Sequence, residues 1–276
     1  MTTLYVSDLD GTLLRSDERT SDYTNRVING LVQQGVAFTY ATARSWATAH
    51  KVTAGLTAAF PVIVNNGTFI RDNSTGEYLL ENYFTRREAE ELLRDLLSAG
   101  ISPIVYSRIG GEEKFSYLPA RMSSGGEAFI LSRKGDSRDR PAEGEEELFA
   151  GSVFYFTCID AREKLAVFDE KYRERFHCNF AREYYSGAWF LEIMPRAAAK
   201  ANAAKALAAR LGCARIVAFG DGRNDLDLFH IADEAYAVGG ADPALKAAAT
   251  AVIGSNDEDG VAKWLEKRFS AEEAIP

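Results

Sequence analysis

Leu4-Tyr5-Val6-Ser7-Asp8-Leu9-Asp10-Gly11-Thr12 opens on a short apolar run and then breaks into two closely spaced carboxylates and a glycine. The run reads as a buried strand, Leu4 to Ser7, and Gly11 allows a tight turn, which leaves Asp8 and Asp10 at the strand's exit. A helical pattern from Tyr23 to Gln34, with Gly35 as its stop, leads to a second strand, Val36 to Ala41, that again ends in polar residues at Thr42 and Arg44. Strand, helix, strand is the rhythm of a parallel α/β sheet. Pro61 to Val64, followed by Asn65-Asn66-Gly67, is a third candidate strand with a turn.

The same rhythm returns late in the chain. A helix from Ala197 to Leu211, stopped by Gly212, precedes the strand Arg215 to Phe219, and that strand ends in Gly220-Asp221-Gly222. Short runs at Ala235 to Val238 and Thr250 to Ile253 extend the parallel series, and Gly260 to Phe269 reads as a terminal helix. Between these halves the pattern changes. Helices are expected at Arg86 to Ser98 and Arg162 to Phe176. Extended pieces are expected at Ile101 to Tyr106, Glu113 to Leu118, Ser152 to Cys158, near Arg182 to Tyr185 and at Trp189 to Met194. This is the pattern of an inserted α+β unit, with the charged stretch Arg133 to Glu147 expected as a solvated loop. The division is residues 1–82 and 196–276 as one domain and 83–195 as the insert.

With 276 residues the chain has ample length for a buried core. Its 46% hydrophobic and 26% charged content excludes disordered and collagen-like classes. The net charge of −8 opposes nucleic acid and anionic lipid, so any anionic ligand must be held by local charge. The odd, scattered Cys158, Cys178 and Cys213 indicate neither a disulfide framework nor a zinc site. No apolar run suits a signal peptide or membrane span, and a soluble protein of the reducing cytoplasm is expected. His50, His177 and His230 lie apart and are expected in surface or packing roles.

Ligands of open parallel sheets bind at the carboxyl ends of the strands, so Asp8, Asp10, Thr42 and Asp221 are expected to converge on one crevice. Each has a plainer reading alone: Asp10-Gly11 as a turn, Thr42 as a helix N-cap, Asn224 or Asp225 as the cap of the next helix. Lys200 adds an independent signal, because it heads a helical stripe with Ala204, Leu207 and Leu211 and sits where the helix dipole disfavours a cation. Anion binding is preferred here to a lysine that snorkels out to water. Several carboxylates at strand ends form a hard oxygen site suited to Mg²⁺ shared with a phosphate. A carboxylate and a phosphate about 4 Å apart repel by roughly 4 kcal/mol at an effective dielectric of 20, which a metal ion and Lys200 would offset. Asp8 can then attack phosphorus while Asp10 protonates the leaving alcohol.

These residues resemble the four ordered motifs of the haloacid dehalogenase superfamily: Asp8-Leu9-Asp10-Gly11-Thr12, Thr42-Ala43-Arg44, Lys200 opening a helix, and Gly220-Asp221-Gly222-Arg223-Asn224-Asp225. The Asn65-Asn66-Gly67 turn, Ala241-Asp242-Pro243 and Asn256-Asp257-Glu258-Asp259-Gly260-Val261 further resemble its Cof-type, class IIB phosphatases. The resemblance implies a Rossmann-like doubly wound parallel core with an inserted α/β cap. It also implies a small-molecule phosphoester substrate, a sugar phosphate in particular, and an aspartyl phosphate on Asp8. Asp10 would serve as acid and then base. The metal Mg²⁺ would be held by Asp8, Asp221 and the Asp10 backbone carbonyl, and the phosphate by Thr42, Lys200 and Asn224. Asp225 would orient Lys200 or a metal-bound water. Ala43 and Ala201 stand where the family more often has glycine. A phosphomutase and a catalytically silent phosphate-binding protein are the alternatives. Within the insert, Arg182, Tyr184, Trp189 and Glu192 are candidates to face substrate, although packing is the preferred role for its aromatic residues.

Overall fold

The computed structural model describes residues 2–182 and 187–272. Residues 1–81 with 198–276 form one compact unit and residues 82–197 a second. The first unit runs β1 (Thr3–Ser7), α1 (Asp22–Gln33), β2 (Ala37–Tyr40), α2 (Trp46–Val52), β3 (Pro61–Val64), β4 (Phe69–Asp72) and β5 (Tyr78–Glu81). The second follows with α3 (Arg86–Ser98), β6 (Ile104–Ile109), β7 (Glu112–Tyr117), α4 (Ser124–Leu131), β8 (Asp139–Pro141), β9 (Ser152–Asp160), α5 (Arg162–Tyr172), β10 (His177–Arg182) and β11 (Trp189–Met194). The chain then returns to the first unit through α6 (Lys200–Leu211), β12 (Arg215–Gly220), α7 (Leu226–Ile231), β13 (Glu234–Ala237), α8 (Pro243–Ala248), β14 (Ala251–Val252) and α9 (Gly260–Glu272).

The first unit's main sheet has the order β14-β13-β12-β1-β2, and every pair is parallel. Leu4, Tyr5, Val6 and Ser7 of β1 are all buried, as a central strand covered on both faces requires. From β1 the chain moves outward to β2 on one side, and from β12 outward to β13 and β14 on the other. The direction of winding therefore reverses between β1 and β12, and a doubly wound sheet opens its ligand crevice at such a reversal. The α/β expectation holds.

The candidate strand at Pro61–Val64 forms, but as the start of an antiparallel three-stranded sheet, β3-β4-β5. It joins the main sheet's edge through one parallel bridge, Ala41 to Ile63. The reversal is local: Asn65, Asn66 and Gly67 all take positive φ, at 50°, 54° and 91°.

The second unit is a six-stranded sheet, β10-β11-β9-β6-β7-β8, antiparallel except at β7–β8. Leu92, Leu93 and Leu96 of α3 and Leu165 and Phe168 of α5 are buried in its larger core, while Phe129 and Ile130 of α4 pack against a smaller cluster around Phe115 and Ile159. Several expected boundaries are corrected here. Part of the charged stretch Arg133 to Glu147 is no loop, because Asp139–Pro141 pairs with β7 as an edge strand, where a proline is tolerated. β6 begins at Ile104, just past Pro103, which has no N–H to give a ladder. Helix α5 stops at Tyr172, short of Phe176, whose ring turns inward to lie 5.3 Å from that of Phe84. The strand placed near Arg182 to Tyr185 ends at Arg182, and residues 183–185 lie outside the described residues.

The Asn256 to Gly260 turn clasps the loop that follows β1. Asp259, itself at φ 57°, accepts from Arg15 Nε at 3.0 Å, Ser21 Oγ at 2.7 Å and Thr24 Oγ1 at 3.1 Å, and pairs with Arg15 Nη2 as well. Asp257 takes Ser16 Oγ at 2.7 Å. Burial alone would raise the Asp259 carboxyl, but the hydrogen bonds from Arg15, Ser21 and Thr24 outweigh it and hold the group below its ordinary value. A carboxyl so lowered contributes stability above its unfolded pKa and loses it as pH falls through the folded one. Asp259→Ala is therefore expected to cost about 2–4 kcal/mol at pH 7, with a smaller deficit at pH 3, measured by urea unfolding. An equal deficit at both pH values would show that the carboxylate's charge contributes nothing.

Among the described residues, no helix is long and apolar enough to cross a membrane.

Candidate active site

Asp8 leaves β1 with its N–H bonded to Phe219 O of the neighbouring β12 at 2.9 Å, so the two strand ends are locked side by side. Asp8 is buried, and so are Lys200 and Asp225. Lys200 Nζ lies 2.5 Å from Asp8 Oδ1 and 2.8 Å from Asp225 Oδ1, a buried ammonium shared by two carboxylates. The second oxygen of Asp225 accepts the N–H groups of Asp221 and Gly222, both at 3.2 Å, and so shapes the turn that presents Asp221. Thr12 Oγ1 donates to Asp221 Oδ1 at 3.0 Å. Gly11, at φ 74°, has a second reason to lack a side chain: a Cβ there would stand 2.4 Å from Asp221 Oδ2.

The carboxylates of Asp8, Asp221 and Asp225 bring oxygens within 4.8 Å of one another. Three acids lie near a single lysine, and the imbalance appears in the titration of Asp8 and Asp221. Burial pushes Asp8 well above its ordinary value, further than Lys200 pulls it back, and Asp225 and Asp221 add to the rise. Asp221 is raised to about 6, by burial first and by Asp225 second. Burial works to lower Lys200, but Asp225 and Asp8 outweigh it and hold the ammonium above its usual range. An all-oxygen donor set with uncompensated negative charge suits a hard cation.

The stripe headed by Lys200 is corrected at its far end. Ala204 and Leu207 are buried, whereas Leu211, in the last turn before the left-handed Gly212, is 39% exposed.

Thr42 is fully buried, and its hydroxyl accepts the Arg44 N–H at 3.1 Å. It does not cap α2; Ser45 does, accepting from Thr48 N. Asn66 N donates to Thr42 O and Asn65 N to Arg44 O, each at 2.9 Å, so the Asn65-Asn66-Gly67 turn holds the Thr42 loop. The same turn seats α6, because a Cβ on Gly67 would stand 2.3 Å from Ala199 O, one residue before Lys200.

Two predicted residues lie outside the buried cluster. Asn224 is exposed. Asp10 is exposed, and its carboxylate is held by Arg44: Nη2 reaches Oδ1 at 2.6 Å, and Nε reaches Oδ2 at 2.9 Å and Oδ1 at 3.1 Å. The sequence assigns no role to Arg44 or Thr12, and to Gly11 only a tight turn, although all three stand inside the quoted motifs. In the second unit Trp189 packs on Phe180 with ring centres 4.9 Å apart, as the packing expectation has it. Glu192 accepts from Asn179 Nδ2 at 2.8 Å, Arg182 donates to Gly187 O at 2.9 Å, and Tyr184 lies outside the described residues.

A doubly wound sheet with acids at the ends of β1 and β12 and a buried lysine from α6 defines a class of hydrolases, and comparison with known proteins supplies the family. Residues 5–265 match the haloacid dehalogenase-like hydrolases, and the chain belongs to that family. It is 29% identical over 287 residues to the 5-amino-6-(5-phospho-D-ribitylamino)uracil phosphatase of Bacillus subtilis, covering 97% of this chain and 98% of the relative. It is 27% identical over 268 residues to the HMP-PP phosphatase of Serratia proteamaculans, covering 95% and 94%. A haloacid dehalogenase-like hydrolase from Bacteroides thetaiotaomicron shares the fold at a TM-score of 0.77 and 23% identity, covering 98% of this chain and 100% of the other.

Proposed function

We propose that this chain is a Mg²⁺-dependent phosphatase of small phosphorylated metabolites, sugar phosphates in particular, acting through an aspartyl phosphate on Asp8. The observation that carries the reading is the shared ammonium: Lys200 lies 2.5 Å from Asp8 and 2.8 Å from Asp225 at the sheet's winding reversal. That arrangement presents a carboxylate nucleophile beside a fixed positive charge, which an incoming phosphate dianion requires.

Asp8 attacks phosphorus as the bond from phosphorus to the alcohol oxygen breaks, and Asp10 gives that oxygen its proton. Water then attacks the phosphorus of the acyl phosphate and yields a proton to Asp10, while Asp8 leaves as carboxylate and inorganic phosphate is released. Lys200, the Thr42 hydroxyl and Asn224 hold the phosphate oxygens, and Asp225 keeps Lys200 aimed at Asp8. The clustered carboxylate oxygens fit a divalent cation, which Asp8, Asp221 and the Asp10 carbonyl would hold. Such an ion would supply charge neutralisation of the phosphoryl group. The Bacillus subtilis relative is named for a phosphate on a ribityl chain, a polyol ester of the kind proposed here. With a net charge of −8, nucleic acid is not among the proposed partners.

Inorganic phosphate is expected from a panel of sugar phosphates with Mg²⁺, with loss on chelation and recovery on adding Mg²⁺ back. No release from any member would overturn the reading. We further assign residues 83–195 the discrimination between substrates. A sugar phosphate should then exceed a folded phosphoprotein by at least about 10²-fold in kcat/KM at matched phosphoester concentration. Comparable efficiencies would remove the metabolite assignment and leave the chemistry standing.

A further inference from the structure

Asp10 presents a problem that the rest of the site does not. Its side chain is 50% exposed, and a solvated aspartate samples several orientations, yet proton transfer needs one. The neighbouring Arg44 supplies what exposure removes. Its side chain is 23% exposed, and the guanidinium spans both carboxylate oxygens of Asp10 and uses Nη2 again on Glu18 Oε2 at 2.9 Å.

An exposed ion pair contributes little to stability, about 0–1 kcal/mol, and a stray surface pair would need no further explanation. Arg44 is not placed as a stray. Its backbone is held on both sides, its N–H by the Thr42 hydroxyl at 3.1 Å and its carbonyl by Asn65 N at 2.9 Å. Glu18 is fixed in turn: its N–H bonds to Arg15 O at 2.9 Å, and Arg15 is anchored on Asp259. Support thus runs unbroken from the Asp259 clasp through Glu18 and Arg44 to Asp10.

We infer that Arg44, braced by Glu18, is the positioning residue for Asp10, and that its guanidinium fixes the plane in which that carboxylate carries the transferred proton. Nη2 donates to Oδ1 at 2.6 Å, and the single Nε–H is shared between Oδ2 at 2.9 Å and Oδ1 at 3.1 Å. Both oxygens are engaged, and each keeps a lone pair in the plane that the guanidinium sets. A planar guanidinium does this and an ammonium does not, because only the former fixes the plane of the carboxylate. The inference rests on the phosphatase reading and adds to it the residue that orients its acid.

The test separates leaving-group departure from phosphate binding. Release of the leaving group is measured in a single turnover with two substrates: p-nitrophenyl phosphate, whose phenolate needs no proton, and a sugar phosphate, whose alkoxide does. Arg44→Gln should slow the sugar phosphate about 10- to 100-fold and p-nitrophenyl phosphate by less than about threefold, with KM for both within about twofold. Arg44→Lys should show the same selective loss, which covers the case in which the neutral variant folds poorly. In Arg44→Ala, added guanidinium ion should restore part of the sugar-phosphate rate alone. The double variant Arg44→Gln with Asp10→Asn should be no slower on the sugar phosphate than Asp10→Asn by itself.

Equal losses on the two substrates, or a rise in KM with kcat unchanged, would overturn the assignment and place Arg44 on the phosphate or in the fold. Full additivity with Asp10→Asn would overturn it too. The phosphatase reading fails separately, if the parent enzyme turns over neither ester or if Asp8→Asn keeps its activity.

Discussion

Asp8→Asn is expected to lose at least about 10⁴-fold in turnover and to unfold at a temperature no lower than the parent. The two halves of this result have one cause. The carboxylate that makes Asp8 a nucleophile is buried among Asp221 and Asp225, and burial, more than Lys200 can offset, raises its pKa well above the ordinary value. A group with a raised folded pKa binds its proton more tightly folded than unfolded, so its ionised form opposes folding once pH exceeds the unfolded value. At neutral pH the amide removes that opposition with little change in volume. It also leaves Lys200 paired with Asp225 at 2.8 Å. Loss of activity with retained or increased thermal stability is the pattern of a residue kept for chemistry. Retained turnover would remove Asp8 as nucleophile, and a lowered unfolding temperature would show that its charge holds the fold. Acid quench and mass spectrometry of the parent should find phosphate on Asp8.

Much of this site is legible along the chain because each acid follows an apolar run, and a strand that ends in a carboxylate marks its own carboxyl end. Asp8 after β1 and Asp221 after β12 are of this kind, and the parallel pairing of those strands, Thr3 with Arg215 to Ser7 with Phe219, places their ends together. Lys200 is legible for another reason: a cation heading a stripe with Ala204 and Leu207 has to face inward. The stripe misleads only at Leu211, where helical phase continues but the protein above it does not.

What the chain does not disclose are partnerships made across loops. Arg44 meets Asp10 and Glu18 because two loops, from different strands, approach each other, and periodicity carries no information on such an approach. Thr42 reads as a cap because a helix follows it, but Ser45 is nearer to that helix and does the capping. The hairpin that follows β3 is hidden for a similar reason. Asn65-Asn66-Gly67 signals a turn plainly, but not what pairs after it: three successive residues at positive φ lay the next strand, β4, back against β3. Asp139–Pro141 is too short and too charged to show period-two alternation, and its strand exists only because β7 offers an edge.

Removing the same ion pair from its other side should have the opposite effect on stability. Lys200→Met leaves Asp8 and Asp225, which are 5% and 0% exposed, without their shared counter-charge. Breaking a buried pair in this way costs about 3–5 kcal/mol, because the remaining charge is neither solvated nor neutralised. The sign of the pH dependence follows from Asp8. Its folded pKa already lies above 3.8 and rises further without the ammonium, so the folded state holds a proton that the unfolded state gives up. Stability of the variant should therefore fall as pH rises from about 4 toward neutrality, and the deficit relative to the parent should be smallest in acid. In the parent, Lys200 has a raised folded pKa, so its contribution is complete below its unfolded value and is lost only in strong alkali. The measurement is urea unfolding of both proteins at pH 5 and pH 8 with chelator present, so that no divalent cation substitutes for the missing charge. A deficit that is equal at the two pH values would mean that Lys200 acts through packing, and its assignment as the charge that tethers Asp8 and receives phosphate would have to be withdrawn. Activity should be lost in the variant at both pH values, since Met keeps the apolar stem of the lysine and none of its charge.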